Sequence, residues 1–311
     1  MGTVVVFPGQ GSQKKGMAQD FCGAFPESRE VFDRASEALD MDMLALCSQE
    51  DPRLHLTEYT QPAILTAELS MLRGLQAHHG LAADRWGGHS LGEYTALVAA
   101  GALRLEDGVC AVRERGRRMQ IAVPQGQGAM AAIIRPDLDL SEVRDCLQGL
   151  VADIANHNAP SQVVISGATA DVQLAVDRYR STPAGSSAKV RMLPVSAPFH
   201  SRLMAPIEAD FRALLAELDW SAPASAAVVS NTSGTMHDGS LGGLLDRLTA
   251  QISGTVRWVD CMQTLLQQAD RVIEVGPGRP LRGFFRSLEE LSQTPLHAVT
   301  NLPSARHALS D

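Results

Sequence analysis

The sequence predicts an α/β fold in which a small unit interrupts a larger domain, and three observations carry that prediction. A short β-branched run, Thr3–Phe7, stops at Pro8 and opens into the glycine-rich loop Pro8-Gly9-Gln10-Gly11-Ser12-Gln13, the pattern of a buried strand feeding a tight loop. A strand-to-helix turn is written at Gly88-His89-Ser90-Leu91-Gly92, a G-x-S-x-G pentapeptide. Between Gly126 and Val195 the pattern changes to strand, helix, strand, helix, strand, the order of a split β-α-β unit inserted in the chain.

In an open α/β sheet, ligands bind at the carboxyl ends of the strands, so backbone N–H groups around Gln10 are candidate donors to an oxyanion. The loop lacks the lysine and hydroxyl residue of a phosphate-binding G-x-x-x-x-G-K-[ST] motif. Residues from Pro26 to His79 follow helical spacing. Within them Thr60-Gln61-Pro62 reads as a helix opening, with Pro62 in the first turn; on composition Gln61 belongs to the surface. The glycines around Ser90 allow a turn tight enough to expose its hydroxyl, which makes Ser90 the candidate nucleophile. The helix starting at Leu91 points free N–H groups back at that turn. Small residues at Ala96–Ala100 suit close packing on the sheet.

A basic helix follows, Val112–Gln120, in which Arg113, Arg117 and Arg118 read as a solvated face. Arg115 stands apart because Gly116 follows it: a helix-interior glycine costs about 1 kcal/mol and implies a close approach. A planar guanidinium beside such a gap can clamp a carboxylate. Inside the inserted unit Ala129–Ile134, Gln162–Ser166 and Lys189–Val195 read as strands, and Leu140–Leu147 and Ala170–Tyr179 as helices. The return to the larger domain is Ser196-Ala197-Pro198-Phe199-His200-Ser201, and His200 is the candidate base for Ser90. His89, beside the serine, reads as a structural hydrogen-bonding residue. Ala227–Ser230 reads as a strand entering Asn231, Leu241–Ile252 as a helix, and Val272–Val275 as a strand into Gly276-Pro277-Gly278, a turn on the same sheet edge as Gln10 and Ser90.

Composition narrows the classes. The 311 residues are 45% hydrophobic and 20% charged, with a net charge of −8, ordinary for a globular protein and contrary to general nucleic-acid or membrane-surface binding. The start, M-G-T-V-V-V-F-P-G, has no basic stretch ahead of a long apolar run, and no window reaches a membrane helix. Five scattered cysteines without C-x-x-C spacing suggest neither a disulfide framework nor a metal site. A cytoplasmic protein is expected.

Taken together, Phe7–Gln13 (F-P-G-Q-G-S-Q), Thr60–Ala63 (T-Q-P-A), Gly88–Tyr94 (G-H-S-L-G-E-Y), Arg115–Gln120 (R-G-R-R-M-Q), Asn156–Gly167, Ser196–Ser201 (S-A-P-F-H-S), Val256–Trp258 (V-R-W) and Glu274–Gly278 (E-V-G-P-G) give a chain that resembles the malonyl-CoA:acyl-carrier-protein transacylases of fatty-acid and polyketide synthesis. The resemblance implies an α/β-hydrolase-like catalytic domain over 1–125 and 199–311 and a ferredoxin-like subdomain over 126–198. It implies a Ser90–His200 dyad working without a third carboxylate, an oxyanion hole from the N–H groups of Gln10 and Leu91, and Gln251 orienting the histidine. Arg115 matches the residue that binds the free carboxylate of malonate, while Gln61, Met119, Asn158 and Phe199 match positions lining the acyl pocket; the bulk of Phe199 fits malonyl over methylmalonyl. The implied substrate is malonyl-CoA, with no cofactor and no metal of the enzyme's own. The implied partner is an acyl carrier protein, to which Arg113, Arg117, Arg202, Arg279, Arg282 and Arg286 offer a basic patch, and a monomer is expected.

Two other readings stay open: a proofreading hydrolase of the same fold acting on acyl carrier proteins, whose members lack the arginine, and the acyl-loading subunit of a malonate decarboxylase. A silent scaffold is expected to have lost Ser90 or His200, and both are present. Service in trans to a polyketide synthase stands beside fatty-acid synthesis.

Overall fold

The computed structural model describes residues 2–195, 197–288 and 294–309, so Ser196 of the return motif lies outside the described residues. The larger body begins with β1 (Thr3–Phe7), α1 (Gln19–Ala24), α2 (Pro26–Leu39), α3 (Met43–Ser48), α4 (Thr57–His79), β2 (Arg85–Gly88), α5 (Leu91–Ala99) and α6 (Leu105–Ile121). The chain then forms β3 (Gly128–Ile134), α7 (Leu140–Leu147), β4 (Ala152–Ala159), β5 (Gln162–Ala168), α8 (Thr169–Arg180) and β6 (Lys189–Met192). It returns through α9 (Glu208–Ala216), α10 (Leu241–Ala250), α11 (Trp258–Leu266), β7 (Arg271–Val275), α12 (Pro280–Phe285), β8 (Leu296–Val299) and α13 (Leu302–Ala308).

The larger sheet is parallel, in the order β2-β1-β7-β8. All five residues of β1 are buried, which is why this strand is apolar on both faces rather than alternating. Its register sets Phe7 opposite Gly88, and the His89 N–H donates to the Phe7 carbonyl at 3.0 Å. The Gln10 loop and the Ser90 turn therefore leave the same sheet edge side by side.

The smaller sheet is antiparallel, β4-β5-β3-β6, and its β-α-β-β-α-β order is that of a ferredoxin-like unit. Along β3 and β5 the faces alternate: Ala131, Ile133, Val163 and Ile165 pack with α7 and α8 in a core of their own, while Met130, Ala132 and Val164 join the main core. The fold class is thus the expected one, an α/β-hydrolase-like body with a ferredoxin-like insert.

Four elements differ from the sequence-based expectation. β4, Ala152–Ala159, is a strand that ADIANHNA does not announce; it is polar, has two register irregularities, and is held by pairing with β5 rather than by propensity. Ala227–Ser230 makes only single bridges, Trp86 with Val228 and Val229 with Met236, because the preceding Ala222–Ala227 segment is a 3-10 turn and the chain bends away at Asn231. The last strand of the insert ends at Met192; after one more bond from the Leu193 N–H to the Met130 carbonyl, the chain leaves the ladder and Leu193–Val195 line a cavity. α4 starts at Thr57, so Pro62 lies inside the helix and Gln61 is buried at 1% exposure rather than on the surface. No described helix is long and apolar enough to cross a membrane.

Candidate active site

Ser90 stands between β2 and α5 with φ 54° and ψ −102°, a left-handed backbone that costs a non-glycine residue about 1–3 kcal/mol. The turn can be that sharp because its flanks carry no side chains. A Cβ on Gly88 would lie 2.0 Å from the Gly92 backbone, and one on Gly92 2.3 Å from the Phe7 carbonyl oxygen.

Ser90 Oγ lies 2.7 Å from His200 Nε2, and His200 Nδ1 lies 2.8 Å from the Gln251 carbonyl oxygen. A carbonyl can only accept, so the ring proton belongs on Nδ1 and the lone pair of Nε2 faces the serine hydroxyl. Burial first, and the Arg115 charge second, push the His200 pKa down to about 3, so the imidazole is neutral and able to take a proton. Ser90 and His200 are 110 positions apart in the sequence, and the fold brings them together.

Arg115 is 1% exposed. Its Nη1 donates to Gln61 Oε1 at 2.9 Å; its Nη2 donates to Ser90 Oγ at 3.1 Å and to Gln251 Oε1 at 2.8 Å. The guanidinium carbon lies 5.5 Å from the Tyr94 ring centroid, and the buried Nε has no hydrogen-bond partner. All these partners are neutral, so the charge is positioned with no carboxylate on it. The close approach that Gly116 suggested is made by α4: a Cβ there would lie 2.4 Å from the Thr57 carbonyl oxygen, and this packing sets Gln61 against Arg115.

Ser90, His200, Arg115 and Gln61 line a cavity of about 780 Å³ together with Gln10, Leu91, Met119, Asn158 and Phe199. The N–H groups of Gln10 and Leu91 are not consumed by the flanking turns, which bond Ser12 to Gly9 and Gly92 and Glu93 to His89 and Ser90. Met119, one helical turn after Arg115, is buried at 1% exposure and Phe199 at 8%. Asn158 Oδ1 accepts from His89 Nε2 at 2.7 Å, so His89 is a hydrogen-bonding neighbour of the site. A cleft of about 870 Å³ runs along β4; two of its three arginines, Arg202 and Arg257, are paired with Asp153 and Asp260, and among its described lining residues no serine or cysteine faces a base.

Two contributors escaped sequence reasoning. Asn231 Oδ1 accepts from the Ser90 N–H at 2.6 Å while its Nδ2 donates to the Gly88 carbonyl at 2.8 Å, clasping the turn from behind. Glu93, 1% exposed, accepts from Gln251, Asn231 and His237. The one sequence signal for Glu93 is a charge in the otherwise apolar helix L-G-E-Y-T-A-L-V-A.

The acyl transferase domain profile matches residues 4–277. The chain is 39% identical over 310 residues to the malonyl CoA-acyl carrier protein transacylase of Escherichia coli O157:H7, covering 97% of each chain. It is 37% identical over 293 residues to the enzyme of that name from Staphylococcus aureus strain MRSA252, covering 92% of each. Among solved structures, the acyl-carrier-protein S-malonyltransferase of Burkholderia pseudomallei 1710b superposes with a TM-score of 0.92 at 38% identity over all of both chains. A malonyl-transacylase in complex with its type II polyketide synthase acyl carrier protein superposes at 0.92 and 34% identity, over 100% of this chain and 99% of that one. Fold, site geometry and these likenesses agree: the chain belongs to the acyl transferase family, as a member of the malonyl CoA-acyl carrier protein transacylases.

Proposed function

We propose that this chain moves a malonyl group from malonyl-CoA, through an ester on Ser90, to the phosphopantetheine thiol of an acyl carrier protein. The observation that carries the reading is the buried Arg115 guanidinium 3.1 Å from Ser90 Oγ with only neutral partners. Such a charge asks for an anionic acyl group whose reactive carbonyl sits at the serine.

The chemistry follows from the contacts. His200 Nε2 takes the Ser90 proton as Oγ bonds to the thioester carbonyl carbon. The resulting oxyanion is met by the N–H groups of Gln10 and Leu91. Collapse breaks the C–S bond, and His200 returns its proton to the departing CoA sulfur. In the second half His200 takes the proton of the carrier thiol, whose sulfur displaces Ser90 by the reverse steps.

Malonate's free carboxylate pairs with Arg115, helped by the amide of Gln61, while Met119, Asn158 and Phe199 bound the acyl group. This pairing also offsets the Arg115 charge, which after burial is the second cause of His200's lowered pKa, so an acidic acyl group raises the basicity of the residue it needs. A neutral acyl group leaves Arg115 buried and unpaired, which is costly.

The basic patch for an acidic carrier protein narrows to the α12 region. Arg113, Arg117 and Arg202 are engaged with Glu58, Glu114 and Asp153. Arg279 and Arg286, both exposed, flank the helix that contributes Phe284 to the cavity, and the half-buried Arg282 lies within it. An acidic carrier of fatty-acid or of polyketide synthesis would suit this patch, so both pathways fit.

The test is a mass-spectrometric assay with malonyl-CoA, methylmalonyl-CoA and acetyl-CoA, with and without a holo carrier protein, counting acyl-carrier and free acid separately. Malonyl-carrier with little free malonate, and a malonyl mass on Ser90 that is lost in Ser90→Ala, is the expected result. Mostly free acid, above all from neutral acyl groups, would establish the hydrolase instead.

A further inference from the structure

Among the described residues the dyad has no carboxylate in contact with its histidine, yet one buried carboxylate stands one residue behind every reacting group. Glu93 Oε2 accepts from Gln251 Nε2 at 2.6 Å and from the Asn231 N–H at 3.1 Å, and its Oε1 accepts from His237 Nε2 at 2.9 Å. Glu93, Asn231, His237 and Gln251 are all at most 3% exposed.

Gln251 is the branching point. Its carbonyl oxygen holds His200 Nδ1 at 2.8 Å, its Oε1 accepts from Arg115 Nη2 at 2.8 Å, and its Nε2 donates to the Ser90 carbonyl at 3.0 Å as well as to Glu93. The side-chain amide thus lies between a buried anion and a buried cation, NH2 toward Glu93 and oxygen toward Arg115. Rotating it by half a turn would set like against like at both ends, so the charges fix its orientation. A fixed Gln251 side chain also fixes the backbone carbonyl that orients His200. The sequence has Glu93 three residues after the nucleophile on the same helix, and Gln251 just past the end of α10.

We infer that Glu93 is a positioning residue for the acyl transfer: acting through the Gln251 amide, it holds His200 and Arg115 in register with Ser90. This rests on the roles proposed above for those three residues. Glu93 touches no substrate; it is the remote anchor that lets two residues from distant elements be aligned by one.

Single-turnover acylation of Ser90 by malonyl-CoA tests it, with thermal melting of each variant run in parallel. Glu93→Gln keeps the shape but removes the charge and leaves an NH2 facing donors. It is expected to fold, to acylate about 100-fold more slowly, and to need severalfold more malonyl-CoA for half-maximal rate. Glu93→Asp keeps the charge and should fall between Glu93→Gln and the wild type. Gln251→Ala should resemble Glu93→Gln, and the double variant should be no more than about threefold slower than the slower single one, since the two act in series.

Wild-type acylation by Glu93→Gln, multiplying losses in the double variant, or a Glu93→Asp no faster than Glu93→Gln would each overturn the inference. If Glu93→Gln fails to fold, the same cycle is run with Glu93→Asp, and multiplying losses overturn it in the same way. A wild type that carries no malonyl on Ser90 would instead break the functional reading, and the two failures are told apart in one mass spectrum.

Discussion

The two walls of the cavity are built from different materials. The larger body supplies Ser90, His200, Arg115 and Gln61, and behind them the buried carboxyl groups of Glu68, Glu93 and Glu274. The inserted sheet supplies Met130, Ala132, Val164 and the amides of Asn156, Asn158 and Gln162, and buries no charged residue. The nucleophile and base candidates and the buried cation stand on one wall, and the other adds neutral lining to the cavity. The division is physical: charges out of water need several fixed partners each, and loops at a parallel sheet edge bring partners from many parts of the chain. An antiparallel sheet contributes alternate side chains from one face, which suits an even lining.

Substitution on the first wall is expected to have the largest effect. Arg115→Ala should cut malonyl transfer by several kcal/mol, about 3–5 by the measure of removing one partner of a buried pair, while acetyl-CoA becomes relatively better. Steady-state kinetics with both donors checks this; an unchanged preference would move the acid-recognition role elsewhere. The same variant loses the cation that depresses His200, so the acid limb of Ser90 acylation should move to higher pH than the limb set by the wild-type pKa of about 3. A limb that stays put would mean burial alone sets that pKa.

On the second wall the effect should be smaller and different in kind. Met130, 4% exposed, lines the pocket without touching the reacting groups. Met130→Ala is expected to change malonyl kcat/KM by about tenfold, the low end of what one methylene is worth in an apolar pocket, and to improve methylmalonyl relative to malonyl. Competition between the two donors reads it out. A loss as large as that of Arg115→Ala would erase the contrast between the walls.

The smallest effect concerns stability and again sorts to the first wall. Glu274 is fully buried under α12, accepting from the N–H groups of Leu281 and Arg282, and burial raises its pKa from 4.5 to about 7. The folded protein therefore binds this proton more tightly than the unfolded chain. Its contribution is complete below about pH 4.5 and is lost as pH rises toward 7, a span of at most about 3 kcal/mol. Melting curves from pH 4.5 to 8 should show a downward slope that Glu274→Gln removes in part; identical slopes would contradict the assignment.

Much of this was readable in the chain because it is local. The Ser90 turn needs glycines at fixed offsets, β1 needs a continuous β-branched run, and Gly116 marks a backbone approach whatever lies opposite. Strand β4 was not readable, since its amides serve the cavity and carry no strand propensity of their own. Gln61 was placed at the surface because composition says nothing about a helix that starts three residues earlier and packs on α6.

By itself the sequence determined the α/β class, the insertion and the glycine-flanked turn at Ser90, since each depends on residue type and short spacing, and it singled out His200 and Arg115 as candidates. Only the tertiary structure decided that Glu93, Asn231 and Gln251 form one hydrogen-bonded frame around them. Those contacts span 138 to 161 positions, and a buried hydrogen bond is specified by where two surfaces meet, not by the residues beside it in the chain.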